Sequence, residues 1–126
     1  MNRDSLQAWL DKYVDTWRTY DRAQIADLFS EDAIYLYSPF DEQNPVSRRD
    51  AIVADWLKQP DAAGSWEAHY APIAVEGNVA VAQGRTQYFN ADGTVKREFD
   101  NIFVMHFDDE GRCTRFTEWF MQPRKA

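Results

Sequence analysis

The chain has 126 residues, of which 44% are hydrophobic and 15% aromatic, and its formal net charge is −7. This length suits one domain with a single core, residues 1–126. The acidic charge argues against binding to nucleic acid or to anionic membrane surfaces. The single cysteine, Cys113, allows no intramolecular disulfide, and the sequence shows neither a signal segment nor an apolar run of roughly 20 residues. We therefore expect a cytoplasmic protein.

The first half of the chain has a helical pattern, because its apolar residues recur at spacings of three and four. The stripe of the first predicted helix consists of Leu6, Trp9, Leu10, Tyr13, Trp17 and Tyr20. Asp4 is the expected N-cap of this helix, and Asp21 that of a short second helix. A first strand is predicted near 33–37 and a loop over 38–46. Ser47 is the expected N-cap of a third helix.

The second half has the pattern of strands. The four strand-like runs lie around 65–75, 79–90, 95–107 and 113–122, and turn sequences that contain glycine separate the last three from their predecessors. Helices followed by such a meander predict an α+β fold. We expect three N-terminal helices packed on a strongly curved antiparallel sheet, which together form a half-open cone with an internal pocket.

Local motifs along the chain resemble those of the SnoaL-like, nuclear transport factor 2-like superfamily. The segments 13–17 and 28–33 resemble its opening helices and first strand, 49–52 (Arg-Asp-Ala-Ile) resembles the start of its third helix, and 107–120 resembles its closing hairpin. The glycine that usually precedes the Arg-Asp pair is replaced by Arg48, which predicts an altered turn. The superfamily includes isomerases, cyclases, dehydratases, hydrolases and non-enzymes, so that the resemblance implies a fold more than an activity.

The resemblance also implies which strand residues point into the cone. The expected inward residues are Phe116, Glu118 and Phe120 on the last strand, Asn101, Phe103 and Met105 before it, and Val81, Gln83, Arg85 and Gln87 before that. The expected outward residues are Ile102, Val104, Thr117, Trp119 and Met121, an apolar set that favours a homodimer through the outer face of the sheet. Both faces are apolar, so alternation alone leaves the orientation open, and a shift of one residue would invert it. Asp100 would then point inward instead of Asn101.

Glu118 is the leading candidate for acid–base chemistry. Two inward aromatic residues would flank it and desolvate its carboxylate, which raises the pKa toward the range of a general acid or base. Limonene epoxide hydrolase-like enzymes have a water-activating aspartate at the matching position, and their water-holding tyrosine matches Tyr35. Their Arg/Asp pair is matched incompletely by Gln83 and Arg85. The resemblance thus implies catalytic roles for Glu118, Arg85 and Tyr35, and the alternative is a buried structural Glu118–Arg85 ion pair.

Comparison with ketosteroid isomerase-like members argues against steroid-type isomerisation. Tyr13 matches their oxyanion-hole tyrosine, but their two catalytic aspartates fall near Tyr37 and at Phe103, where this chain has no acid. The histidines, His69 and His106, lie far apart in the sequence, and no cluster of metal-ligand spacing or nucleotide-binding motif is present. We therefore expect neither a metal site nor a cofactor, and His69 is a candidate for the pocket mouth.

The sequence favours a protein with a pocket for a small apolar molecule, and acid–base catalysis without a cofactor is the leading hypothesis. The expected pocket residues are Tyr13, Trp17, Tyr37, Trp56, Gln83, Asn101, Phe103 and Phe116. The alternative is a non-catalytic ligand-binding or dimeric assembly module. A cavity that is open rather than filled by the chain's own aromatic side chains would favour binding or catalysis.

Overall fold

Three helices and six strands make up the structure, a computed structural model that describes residues 1–124. The helices are α1 (Arg3–Thr19), α2 (Arg22–Leu28) and α3 (Arg49–Lys58), and the strands are β1 (Phe29–Leu36), β2 (Val46–Ser47), β3 (Trp66–Glu76), β4 (Val79–Phe89), β5 (Val95–Phe107) and β6 (Cys113–Met121). A short 3₁₀ helix, Pro39–Gln43, lies in the predicted loop. None of the helices within residues 1–124 is long and apolar enough to cross a membrane.

All six strands form one open, mixed sheet in the order β2-β1-β6-β5-β4-β3. Strands β3 to β6 are the predicted antiparallel meander, and β1 is added in parallel beside β6. Glycines with positive φ at 77, 93 and 111 occupy the three turns of the meander, where other residues would be strained. The predicted α+β fold with three helices on a cone-forming sheet is confirmed.

The helix starts differ in part from the predictions. Asp4 is not the N-cap of α1, because Asn2 holds that position: its side chain accepts from the Ser5 amide at 2.8 Å, and Ser5 Oγ accepts from the Asn2 amide at 2.9 Å. This reciprocal pair satisfies two amides that have no partner within the helix, and leaves Asp4 in the first turn. Asp21 is the N-cap of α2, as predicted.

The turn before α3 contains a strained residue. The predicted cap, Ser47, pairs with Ile34 as part of β2, and Arg48 takes the N-cap position without any side-chain cap bond. Arg48 has φ +80° and ψ 143°, a region that favours glycine, so the tight turn forms although the glycine is missing. The Arg48 amide donates to the Ala33 carbonyl at 2.8 Å, which ties the turn to β1.

The core lies between the helices and the concave face of the sheet, and much of it is aromatic. Phe116 stacks on both Tyr35 and Tyr13, with ring centroids 4.6 and 5.6 Å apart. Trp9 extends this cluster toward Phe107. Strand β4 contributes small residues to the concave face, because the aromatic rings of the other elements already occupy the space above it. These residues are Ala80, Ala82, Gly84 and Thr86.

Candidate functional site

A cavity of about 460 Å³ opens between the helices and the concave face of the sheet. Strands β3 to β6 form one wall, and α1, α3 and the end of β1 form the other. The lining residues are Tyr13, Trp17, Tyr20, Tyr35, Tyr37, Asp55, Trp56, Gln59, Asp61, Tyr70, Thr86, Tyr88, Arg97, Phe99, Asn101, Glu118 and Phe120. A cavity of this volume, mainly aromatic with a few polar groups, has the character of a small-molecule site.

A chain of hydrogen bonds crosses the floor of the cavity from β3 to β6. Thr86 Oγ1 donates to Asn101 Oδ1 at 2.8 Å, and Asn101 Nδ2 donates to Glu118 Oε2 at 2.7 Å. The hydroxyl groups of Tyr70 and Thr86 also form a hydrogen bond. The antiparallel register places these side chains on one face, since Gly84 lies opposite Asn101 and Phe103 lies opposite Glu118.

The direction of this chain follows from the number of protons available. Thr86 has one hydroxyl proton and donates it to Asn101, so Tyr70 must be the donor in the Tyr70–Thr86 bond. Every donor therefore points toward Glu118, at which the chain ends. Such a chain stabilises the ionised carboxylate, because each polarised bond strengthens the next.

Glu118 is a partly buried acid without a cationic partner. Burial raises the pKa of Glu118 to about 7, and the hydrogen bond from Asn101 lowers it by a smaller amount. Within residues 1–124 no arginine, lysine or histidine lies within ion-pair distance of its carboxylate. At neutral pH the protonated and ionised forms are both populated, which is the condition for a group that accepts and returns a proton.

Two tyrosines that line the cavity, Tyr13 and Tyr35, form a hydrogen-bonded pair. The hydroxyl oxygens of Tyr13 and Tyr35 lie 2.8 Å apart, and either can be the donor. Burial raises the pKa of both phenols well above the ordinary value, so both remain protonated at neutral pH. One of the two protons forms the bond between them. The other stays available to a ligand.

Two further carboxylates lie toward the mouth of the cavity. Tyr37 donates its hydroxyl proton to Asp55, which lies on α3. Trp17 Nε1 donates to Asp61 Oδ2 at 3.0 Å, and the Tyr20 hydroxyl accepts from the Asp61 amide at 2.8 Å. The two bonds of Asp61 attach the segment after α3 to the end of α1.

The predicted inward orientation of Gln83 and Arg85 is wrong. Both lie on the outer face of the sheet, where Gln83 Nε2 and Arg85 Nε donate to Asp100 at 3.0 and 3.1 Å, and Arg85 also pairs with Glu98 at 3.1 Å. Val81 and Gln87 share this face. The buried Glu118–Arg85 ion pair is therefore absent, and Arg85 cannot orient Glu118. The physical reason is volume, since the aromatic interior accepts the small residues of β4 and leaves its long polar ones outside.

Three other candidates also lie outside the cavity. Phe103 and Phe116 are 1% and 0% exposed and pack beneath Tyr13 in the core, so they support the cavity without lining it. His69 is on the outer face of β3, with an 84% exposed side chain. Among residues 1–124, no group of three or more His, Cys, Asp or Glu side chains has the arrangement of a metal site.

Trp17, Tyr37, Trp56 and Asn101 do line the cavity, together with Tyr13, Tyr35 and Glu118. Sequence reasoning missed several lining residues, among them Asp55, Asp61, Thr86, Tyr88 and Arg97. The small residues at alternate positions of β4 could have revealed Thr86, since they mark the crowded face. Asp55 and Asp61 had no such signal, because exposed acids are common at the end of a helix.

The sequence model of the SnoaL-like domain family matches residues 10–116. The chain belongs to the SnoaL-like domain family. This confirms the resemblance that the motifs indicated. No curated protein sequence matches the chain.

Solved structures that resemble this SnoaL-like protein over almost its whole length include the following two. One is an NTF-2-like protein of unknown function from Burkholderia xenovorans LB400, with 18% sequence identity, a TM-score of 0.71, and coverage of 98% of this chain and 88% of that chain. The other is described as a putative ketosteroid isomerase from Kribbella flavida DSM 17836, with 17% identity, a TM-score of 0.71, and coverage of 98% and 83%. At these identities the likeness shows a shared fold.

Proposed function

We propose that this protein binds a small, largely apolar molecule in the cavity and that Glu118 acts on it as a general acid or base, without a cofactor. The observation that carries the proposal is the environment of Glu118. Its carboxylate is partly buried, has no cation beside it, and receives a directed chain of hydrogen bonds from Asn101. Such a carboxylate is basic enough to remove a proton and acidic enough at neutral pH to return it.

The tyrosine pair supplies the second group that such chemistry needs. When Glu118 removes a proton from a bound ligand, negative charge develops on the ligand, and a hydrogen-bond donor stabilises that charge. The free hydroxyl proton of the Tyr13–Tyr35 pair is such a donor in the same cavity. Isomerisation, cyclisation and addition of water can all use this combination of a carboxylate and a phenol.

A neutral probe tests whether Glu118 is an accessible base. In the elimination of 5-nitrobenzisoxazole, a base removes the ring C–H proton while the N–O bond breaks, and the product is a coloured cyanonitrophenolate. We expect a saturable rate that rises with pH about a midpoint near 7, because the pKa of Glu118 is raised to about 7. Glu118→Gln should lower this rate by roughly a hundredfold or more.

The matched control is Asp100→Asn, which removes a carboxylate from the outer face of the sheet and should leave the rate unchanged. Equal elimination rates in the wild-type protein and Glu118→Gln would reject the role of Glu118. Circular dichroism of both variants shows that a lost rate does not come from lost structure.

We also propose that the protein forms a homodimer through the outer face of the sheet. Trp119 and Met121 are 42% and 73% exposed there, and Ile102 and Val104 continue the apolar strip on β5. A second copy with the same strip would cover it symmetrically. Light scattering should give a dimer for the wild-type protein and a monomer for Trp119→Glu. A monomeric wild-type protein would reject this proposal.

A further inference from the structure

The walls of the cavity consist mainly of aromatic rings. Ten of the seventeen lining residues are aromatic. The face of an aromatic ring carries partial negative charge and attracts a cation that lies over it. This attraction distinguishes an aromatic wall from an aliphatic wall of the same area, which would accept any apolar group.

The acidic side chains of the cavity also favour a cationic ligand. Asp55, Asp61 and Glu118 all line it, and none of them forms an ion pair within residues 1–124. Their hydrogen bonds come from neutral donors: a phenol for Asp55, an indole and a phenol for Asp61, and an amide for Glu118. The negative charge is therefore solvated by the protein and left unneutralised.

Arg97 is the one basic residue among the described residues that line the cavity, and its position shows that an aromatic ring of the wall can bind a cation. Its guanidinium carbon lies 4.9 Å from the centre of the Tyr88 ring, which is the geometry of a cation–π contact. The side chain of Arg97 is exposed at the rim, so it can leave the ring when a ligand arrives. The cavity thus already contains a ring face occupied by a cation.

We propose that the ligand of this cavity is an organic cation, a tertiary or quaternary amine attached to an apolar body. The aromatic rings would surround the alkylated nitrogen, and Asp55, Asp61 and ionised Glu118 would supply the opposing charge. An anionic ligand would meet three carboxylates and one arginine. The overall charge of −7 also draws cations toward the protein. This proposal names the ligand class of the cavity assigned under "Proposed function" and rests on that assignment.

A pair of compounds with the same shape isolates the effect of charge. Choline carries a trimethylammonium group, and 3,3-dimethylbutan-1-ol has a neutral carbon in place of the nitrogen. We expect the wild-type protein to bind choline at least roughly tenfold more tightly, as measured by calorimetry and by NMR shifts of the Trp17 and Trp56 indole protons. Equal affinity for the two compounds, or no binding of choline, would overturn the proposal.

Two variants with opposite expected effects show that the preference belongs to this cavity. Asp61→Asn should weaken choline binding several-fold, whereas Arg97→Gln should strengthen it, since it removes a competing cation from the Tyr88 ring. A gain in affinity cannot come from damage to the fold. The control Asp100→Asn, on the outer face, should leave the affinity unchanged. An Arg97→Gln variant that binds choline more weakly would contradict the proposal.

The experiments can reject the catalytic role of Glu118 and the cationic ligand class independently of each other. Choline has no proton that a carboxylate can easily remove, so its binding does not depend on catalysis, and 5-nitrobenzisoxazole is neutral, so its elimination does not depend on cation binding. Elimination that depends on Glu118, without a preference for choline, would reject the ligand class and retain the base. Tight choline binding together with no elimination would retain the ligand class and reject the role of Glu118 as a base.

Discussion

Glu118 and Asp100 are carboxylates on neighbouring strands of the same sheet, and they have opposite surroundings. Glu118 lies on the concave face, where burial raises the pKa of its carboxyl to about 7. Asp100 lies on the outer face, where hydrogen bonds from Gln83 and Arg85 lower the pKa of its carboxyl below the ordinary value. At neutral pH Glu118 therefore populates both protonation states, whereas Asp100 is ionised.

The difference comes from the partners that each face supplies. The outer face gives Asp100 a guanidinium and contact with water, and both stabilise the ionised form. The concave face gives Glu118 a neutral amide in an aromatic cavity, which stabilises that form less than water would. Alternation along β5 places Asp100 and Asn101 on opposite sides, so a shift of one residue would exchange these two environments.

The largest expected effect concerns the pH dependence of stability. The folded pKa of Glu118, about 7, lies above its ordinary value of 4.5, so the folded chain holds this proton more tightly than the unfolded chain. Its contribution to stability is complete below about pH 4.5 and is lost as the pH rises through 7, which costs up to about 3 kcal/mol at pH 8. Glu118→Gln removes this cost and should be more stable than the wild-type protein at pH 8.

Urea unfolding from pH 4 to pH 8 measures this difference. The two stability curves should converge at low pH, where Glu118 is protonated and resembles a glutamine. The matched change on the outer face, Asp100→Asn, should not raise stability at pH 8, because the ionised Asp100 is already favoured. Parallel curves for Glu118→Gln and wild type at all pH values would mean that folding does not raise the pKa of Glu118.

A smaller effect is expected when the chain of hydrogen bonds is cut. Asn101 is 3% exposed and bonds to both Thr86 and Glu118, so Asn101→Leu leaves a buried hydroxyl and a carboxylate without their partners. We expect a loss of about 2 kcal/mol of unfolding free energy and a further rise in the pKa of Glu118, since a bond to its ionised form is lost. The midpoint of the elimination pH profile should therefore move above 7.

Gln83→Leu is the control for this change, since it removes an amide of similar size from Asp100 on the exposed face. It should leave the elimination profile nearly unchanged, because Gln83 does not line the cavity. An Asn101→Leu variant with an unshifted profile would show that Asn101 does not position or tune Glu118, whatever its effect on stability.

The sequence pattern predicted the order of the three helices and of strands β1 and β3 to β6, and the family resemblance implied the inward orientation of Glu118 and Asn101. Strands β3 to β6 end within two residues of the predicted limits, because glycine-containing turns separate them and each turn requires a positive φ. The cap of α2 was equally clear from Asp21. Turns and helix caps of this kind depend on residues that are close in the sequence.

The orientation of β4 could not be read in the same way. Small and longer side chains alternate along it, and the inward set that the resemblance implied for β4 included Gln83 and Arg85. The rings of α1, β3 and β6 fill the concave face, and a Cβ at Gly84 would lie 1.9 Å from the His69 carbonyl oxygen, so the interior requires small residues there. That requirement comes from tertiary packing, which a single sequence does not display.

The smallest expected effect is that of Arg85→Met, which should change the pKa of the acid on the outer face and leave that of the acid on the concave face unchanged. Arg85→Met keeps the length of the side chain and removes the guanidinium from Asp100, so the pKa of Asp100 should rise part of the way toward its ordinary value, with Gln83 still bonded. Stability should change little, because water screens an ion pair whose arginine side chain is 67% exposed. The titration of Glu118 should stay where it is. Carboxyl carbon NMR follows both acids in one experiment, and a shift of the Glu118 midpoint in this variant would show that the two faces of the sheet are electrostatically coupled.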